Sequence, residues 1–238
     1  MSQTYVSAGR TVAAQRGWSW IAEAWPFFTR NPWIWIGMVV AMMIVFLAMN
    51  FIPFVGQIAA MLLTPVFMAG LMIGCRVLHE GREIEFAHLF AGFREHFGAL
   101  AAIGALYLAA TLVIALVVVL VMGAGIVAIV SGGPAAIVAG GMTLLLSALL
   151  AVALSLPAMM AVWFAPALVV FHGQGAMQAM RESFIGCLKN MVPFLVYGVI
   201  LLLLSVVASI PLALGWLVLG PVIAASVYTA YRDIFLSS

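Results

Sequence analysis

The chain of 238 residues carries nine Lys and Arg, seven Asp and Glu and a formal net charge of +2, with 67% hydrophobic and only 7% charged residues. A soluble domain carries roughly 25% charge, so this composition excludes a water-exposed globular fold of any useful size. The positive excess is too small and too dispersed for the one-sided basic face that nucleic-acid binding needs.

All charged side chains fall in four patches: Arg10 to Arg30, Arg76 to Glu95, Arg181 to Lys189, and Arg232 with Asp233. Between them lie three charge-free stretches, Asn31 to Cys75, Phe97 to Met180 and Asn190 to Tyr231. Each is long enough for two crossings at roughly 20 apolar residues per crossing. In chain order, Trp18, Ile21, Trp25 and Phe28 recur at spacings of three and four, which predicts an amphipathic interfacial helix over 15–30. A hairpin over 33–76 follows, with crossings at 33–52 and 56–76 and a turn at Pro53. Phe86, Leu89, Phe90, Phe93 and Phe97 repeat the amphipathic spacing and predict an interfacial helix over 83–97. The next hairpin covers 98–170, with crossings at 98–122 and 142–170. Its Gly-rich run, 123–141, is open to a loop, a cap or extra crossings. Met177, Met180, Phe184 and Leu188 predict a third interfacial helix over 175–189, and the last hairpin covers 191–232, with crossings at 191–210 and 215–232 and a turn at Pro211.

The fold class read from this pattern is an all-α polytopic membrane protein with six transmembrane helices, built as three repeats of interfacial helix plus hairpin, with 1–238 forming one integral membrane domain. If each charge-free stretch runs out and back, every Lys and Arg lies on one face. The positive-inside rule makes that face, and both termini, cytoplasmic.

Each returning crossing contains a proline, Pro65, Pro157 and Pro221. These are the expected helix kinks, because proline lacks the amide donor and frees the carbonyl four residues earlier, at Met61, Ala153 and Leu217. The Pro-to-Arg spacing of the first and last copies, Pro65 to Arg76 and Pro221 to Arg232, is absent from the middle copy. Gly70 with Gly74, and Ala161 with Ala165, offer small faces for helix packing. The expected membrane-interface anchors are Trp18, Trp25, Trp33, Trp35, Phe86, Phe90, Phe93 and Phe184, whose rings suit the headgroup level.

Motifs that carry chemistry are hard to find. There is no nucleophile elbow, no Cys-x-x-Cys pair and no phosphate-binding Gly loop, and Cys75 and Cys187 read as small apolar residues. His79, Glu80, Glu83, Glu85, His88 and His96 cluster in sequence, but the Glu85 to His88 step occurs once where di-iron sites use it twice. The crossings contain no ionisable side chain, although proton relays and ion-coupled transporters need them. No catalytic, cofactor-binding or metal-binding residue is therefore expected, and the chain is not expected to be an enzyme.

The chain resembles a group of uncharacterised multi-pass inner-membrane proteins of proteobacteria. The likeness is carried by Ala8-Gly9-Arg10, the Trp18 to Trp25 segment, Pro65 with Gly70 and Arg76, His88 to Phe93, Trp163 to Pro166, and Tyr231 to Phe235. In layout it is loosely similar to the membrane domain of some glycerophosphodiester phosphodiesterases. The resemblance implies a bacterial inner-membrane location and carries no activity. The functional expectation is a non-enzymatic envelope or membrane-assembly factor whose partners are the lipid bilayer and other membrane proteins or a second copy. The alternative is a passive or lipid-related small-molecule transporter.

Overall fold

The computed structural model describes residues 4–237. A short strand β1 (Thr4–Tyr5) leads to α1 (Arg16–Arg30), α2 (Pro32–Asn50) and α3 (Val55–His79). A 3-10 turn (Phe86–Phe90) and α4 (Gly92–Glu95) precede the longest helices, α5 (Phe97–Val130) and α6 (Pro134–Trp163). Then come α7 (Ala165–His172), α8 (Ala176–Lys189), α9 (Met191–Ser209), α10 (Trp216–Phe235) and β2 (Leu236–Ser237). The two strands pair antiparallel, Thr4 opposite Ser237 and Tyr5 opposite Leu236, and so tie the two ends of the described chain together.

Five segments are long and apolar enough to cross a bilayer: α2, α3, α5, α6 continuing into α7, and α9. The protein is an all-helical integral membrane protein. α10, where a sixth crossing was expected, differs from these. It carries Arg232 and Asp233 in its last turns, and most of its residues are buried by packing on α1, α2, α3 and α9.

The run 123–141 is neither loop, cap nor extra crossing. α5 continues to Val130 and α6 starts at Pro134, and Gly132 and Gly133 make the turn at φ values of 80° and 87°, which favour glycine. Gly125 and Gly140 are contact points between the two helices. A Cβ on Gly140 would lie 2.6 Å from the Gly125 carbonyl oxygen, and one on Gly125 would lie 3.0 Å from that of Gly140. Glycine here lets two helices approach closely and does not end them.

The expected interfacial helix over 83–97 is also corrected. Only the 3-10 turn and the short α4 form, and the segment folds back along α3. A Cβ on Gly70 would overlap the Leu89 carbonyl, and one on Gly74 would lie 2.8 Å from Ile84 Cδ1, while Gly92 sits against the Val66 carbonyl. Gly70 and Gly74 thus seat this charged segment and not a neighbouring crossing. Gly104 of α5 then meets α3 at Leu62, where a Cβ would lie 2.6 Å from the Met61 oxygen. The carbonyl freed by Pro65 is covered by the bare backbone of α5.

From that crossing α3 runs from Leu62 to its end at Val55, whereas α5 runs from Gly104 to Val130. At 1.5 Å per residue, α5 outreaches α3 by about 28 Å. The helices that contain Pro65, Pro157 and Pro221 are continuous through them; Pro65 and Pro221 are buried and Pro157 is exposed.

The break between α6 and α7 has an identifiable cause. In an unbroken helix Phe164 N–H would bond to the Met160 carbonyl. The buried Ser183 hydroxyl stands between them, accepting from Phe164 N at 2.9 Å and donating to Met160 O at 2.7 Å. A side chain inserted into the ladder bends a helix without leaving either backbone group unpaired.

The buried core lies at the charged end of the molecule, around Trp20, Trp35, Met72, Leu78, Leu168 and Phe235. Exposed apolar side chains concentrate at the opposite ends of the helices, above all from Leu112 on α5 to Leu156 on α6.

Candidate functional site at the charged end

Two polar hubs bind the ends of the chain to this core. The first is Asp233, whose side chain is 11% exposed. Its Oδ1 accepts from Arg10 Nη2 at 3.1 Å, and its Oδ2 accepts from Arg16 Nε at 2.5 Å and Trp20 Nε1 at 2.9 Å. The second is Glu182 on α8, which accepts hydrogen bonds from the Tyr5 hydroxyl, from Gln178 Nε2 at 3.1 Å and from Gln174 Nε2 at 3.2 Å. Tyr5 stacks on His172 with ring centroids 3.9 Å apart, and His172 Nε2 meets the Tyr231 hydroxyl at 2.6 Å. Burial alone would raise the pKa of Glu182, but the donors Tyr5, Gln178, Gln174 and the Ala8 amide outweigh it and hold the carboxyl below its ordinary range. Burial, and then the bond to Glu182, push the Tyr5 phenol above its own.

Glu182 was not singled out by its sequence pattern. The apolar stripe of α8 gave no sign of it, because Met177 and Leu188 are exposed while the buried face is Ala179, Glu182, Ser183, Gly186 and Cys187. In lipid, apolar side chains face outward and small or hydrogen-bonded ones face the protein, so the face that carries information is the inverse of a soluble helix's. Burial pushes the Cys187 thiol up to about 12, which keeps it protonated.

A third cluster surrounds an open cavity of about 580 Å³ between α3, the folded-back segment and α7. Its polar lining is Arg76, Arg82, Arg94, His88, Glu80 and Glu85, and Ile73, Val77, Val170 and Phe171 supply an apolar wall. Arg76 Nε bonds to Glu80 Oε1 at 3.0 Å and Arg82 to Glu80 Oε2. Arg82 and then Arg76 hold the Glu80 carboxyl below the usual carboxylate range. The Arg76 guanidinium also lies 5.3 Å over the Phe171 ring. His88 Nδ1 accepts the Glu85 amide at 2.9 Å, which caps the 3-10 turn. Of the histidines and carboxylates that cluster in sequence, Glu80, Glu85 and His88 therefore share a cavity, whereas His79 Nδ1 bonds to Arg232 at 3.1 Å. Among the described residues no three such side chains are placed to hold a metal ion.

Two further cavities are almost wholly apolar. One, of about 740 Å³, lies between α2, α3 and α10 around Val39, Phe46, Leu71 and Gly220. The other, of about 560 Å³, lies beside Pro65 between α3, α5, α6 and α10, with Thr64 and Tyr107 in its lining. The hydroxyls of Thr64, Thr111, Thr143, Ser147 and Ser209 bond to carbonyls of their own helices.

The expected interface anchors divide. Trp18, Trp25, Phe86 and Phe90 are exposed, and Trp33 is 83% exposed. Phe93 and Phe184 are half-buried. Trp35 is fully buried, and its indole N–H donates to the Phe27 carbonyl at 2.9 Å, so it belongs to the core and not to the rim. Two positions on a helix are about 200° apart, so Trp33 and Trp35 face opposite ways.

The chain is 28% identical over 210 residues to a protein of Burkholderia thailandensis described as a "probable inner membrane protein", a match covering 85% of this chain and 78% of that one. No known protein family matches the chain, and no solved structure does. The likeness to the membrane domain of glycerophosphodiester phosphodiesterases finds no support among these comparisons.

Proposed function

We propose that this is a bacterial inner-membrane protein of six crossings, in three units of interfacial segment plus hairpin with both termini cytoplasmic, acting without catalysis as an envelope or membrane-assembly factor. The described similarity supports the location, and the confinement of Lys and Arg to one end supports the sidedness. The observation that carries the assembly role is the α5/α6 hairpin. It is apolar to its tip, with Val130 and Ile137 exposed, and each of its helices packs more on the other than on any other element. α5 spans 34 residues, about 51 Å against a hydrocarbon core of about 30 Å, so even at a tilt of about 40° its apolar tip reaches beyond the hydrocarbon into the headgroup zone. Apolar side chains at that level are poorly covered by headgroups and water, and a neighbouring membrane protein would cover them.

Photo-crosslinking groups at Leu116 and Val138 test this in intact cells. Discrete adducts with one membrane protein, or with a second copy, support the reading; lipid adducts alone overturn it. Cysteines at positions 53, 132 and 211 are expected to react with impermeant thiol reagents from outside while Cys75 and Cys187 do not. The 560 Å³ cavity beside Pro65 favours a second reading, a passive or lipid-related transporter. Substrate movement in reconstituted vesicles that is abolished by Ala60→Phe, which fills that cavity, would replace the assembly role with transport.

A further inference from the structure

From the cavity at the charged end we infer a binding site for a phosphate ester, carried either by a phospholipid headgroup or by a small soluble metabolite. The inference does not depend on the assembly role. Three guanidinium groups, from Arg76 on α3, Arg82 in the following loop and Arg94 on α4, line one space of about 580 Å³, within the range of small-molecule pockets. Among the described residues two carboxylates, Glu80 and Glu85, line the same space, against three guanidinium groups. One of the two is already engaged, because Glu80 takes bonds from both Arg76 and Arg82.

Among the described residues, few of the guanidinium donors of Arg76, Arg82 and Arg94 are engaged. Arg76 is held by its Nε bond to Glu80 and by the Phe171 ring beneath it, which leaves its two terminal nitrogens as an oriented fork. A planar fork matches two oxygens of a phosphate at once. His88 adds another donor to the lining. With Nδ1 accepting the Glu85 amide, the proton of the neutral ring belongs on Nε2.

The segment that brings these groups together is seated deliberately. Gly70 and Gly74 let the 3-10 turn lie directly on α3, which places His88 and Arg94 beside Arg76. The wall of Ile73, Val77, Val170 and Phe171 is apolar, so the site suits an ester whose phosphate meets the arginines while an apolar or glyceryl portion lies against α3 and α7. A metal ion is a poor fit to a lining dominated by guanidinium groups.

The test uses the full chain in a non-ionic, phosphate-free detergent, titrated separately with dihexanoyl phosphatidylglycerol, sn-glycerol 3-phosphate and inorganic phosphate. Native mass spectrometry and thermal shift are the readouts. Saturable binding of a single equivalent is expected, weakened about tenfold or more in the Arg82→Gln, Arg94→Gln double variant, which removes two charge-assisted contacts. Ala87→Trp, which fills the cavity without removing a charge, is expected to give the same loss, and Arg181→Gln, an exposed arginine outside the cavity, no loss. Lipid binding that glycerol 3-phosphate fails to displace assigns a headgroup; binding of glycerol 3-phosphate with displacement of the lipid assigns a soluble ester. The site is overturned if none of the three ligands saturates at one equivalent, if Ala87→Trp and the double variant both bind like the unaltered protein, or if Arg181→Gln loses as much as they do.

Discussion

The charged end and the α5/α6 hairpin are made by opposite means. At the charged end, residues far apart in sequence meet through side-chain hydrogen bonds: Asp233 gathers Arg10, Arg16 and Trp20, Glu182 gathers Tyr5, Gln174 and Gln178, and Ser183 closes the α6/α7 break. The hairpin has almost none of this. Its two helices satisfy their own backbones and approach closely at Gly125 and Gly140. Position in three dimensions is specified at one end by polar bonds that tolerate few changes, and at the other by shape alone, which lipid or a partner must complete.

Six of the seven tryptophans lie near the charged end and only Trp216 lies away from it, so tryptophan fluorescence during thermal unfolding in detergent reads that end selectively. Asp233→Ala is expected to have the largest effect, about 3 kcal/mol, because it removes three hydrogen bonds to a nearly buried carboxylate, one of them from the buried Trp20 indole, while the partly exposed Arg10 and Arg16 regain water. A melting curve like that of the unaltered chain would show that the hub is not structural. Ser183→Ala is expected to lose about 1–3 kcal/mol, since the Phe164 amide and the Met160 carbonyl are left without the bridging hydroxyl. Alcohol placed back at the same point by Ser183→Thr is expected to recover part of it.

Acidification is a gentler probe of the same end. Glu182 is held below its ordinary pKa, so the stability it lends is fully present above the unfolded-state value and disappears as pH falls through the folded-state value. Protection factors for amide exchange at residues 4–10, taken relative to the intrinsic rate at each pH, are expected to be high at neutral pH and to fall below about pH 4, beneath the usual carboxylate range. A fall that is unchanged in Glu182→Gln would assign the release to another group. On the hairpin, Gly140→Leu is expected to separate α5 from α6, read by spin labels on the two helices, while the tryptophan melt stays put. Leu116→Ala should be smallest of all, within about 0.5 kcal/mol.

Charge placement made the helical, membrane-crossing character legible, and the hairpin boundaries followed from it to within a few residues on α2, α3 and α9. Interfacial spacing found α1 and α8 but not the real shape of 83–97, because periodicity does not report that Gly70, Gly74 and Gly92 allow a segment to lie back on α3. Glycine at 125 and 140 reads as a break in a soluble context and acts as a contact in lipid. The polar hubs were hidden for a different reason. Tyr5, Gln174, Glu182 and Asp233 are scattered across the chain, and only tertiary packing brings them within bonding distance. Trp35 was misread as an anchor because composition near a membrane boundary does not say which side of a helix a ring occupies.

The pairing of β1 with β2, together with the bonds from Arg10 and Arg16 to Asp233, sets an order for biosynthesis. Residues that leave the ribosome early wait unclasped until the end of α10 emerges, after α2, α3, α5, α6 and α9 have all been made. Closure of this ring thus requires translation to have passed residue 233. A chain cut short before that point leaves Arg10 and Arg16 without the carboxylate that holds them.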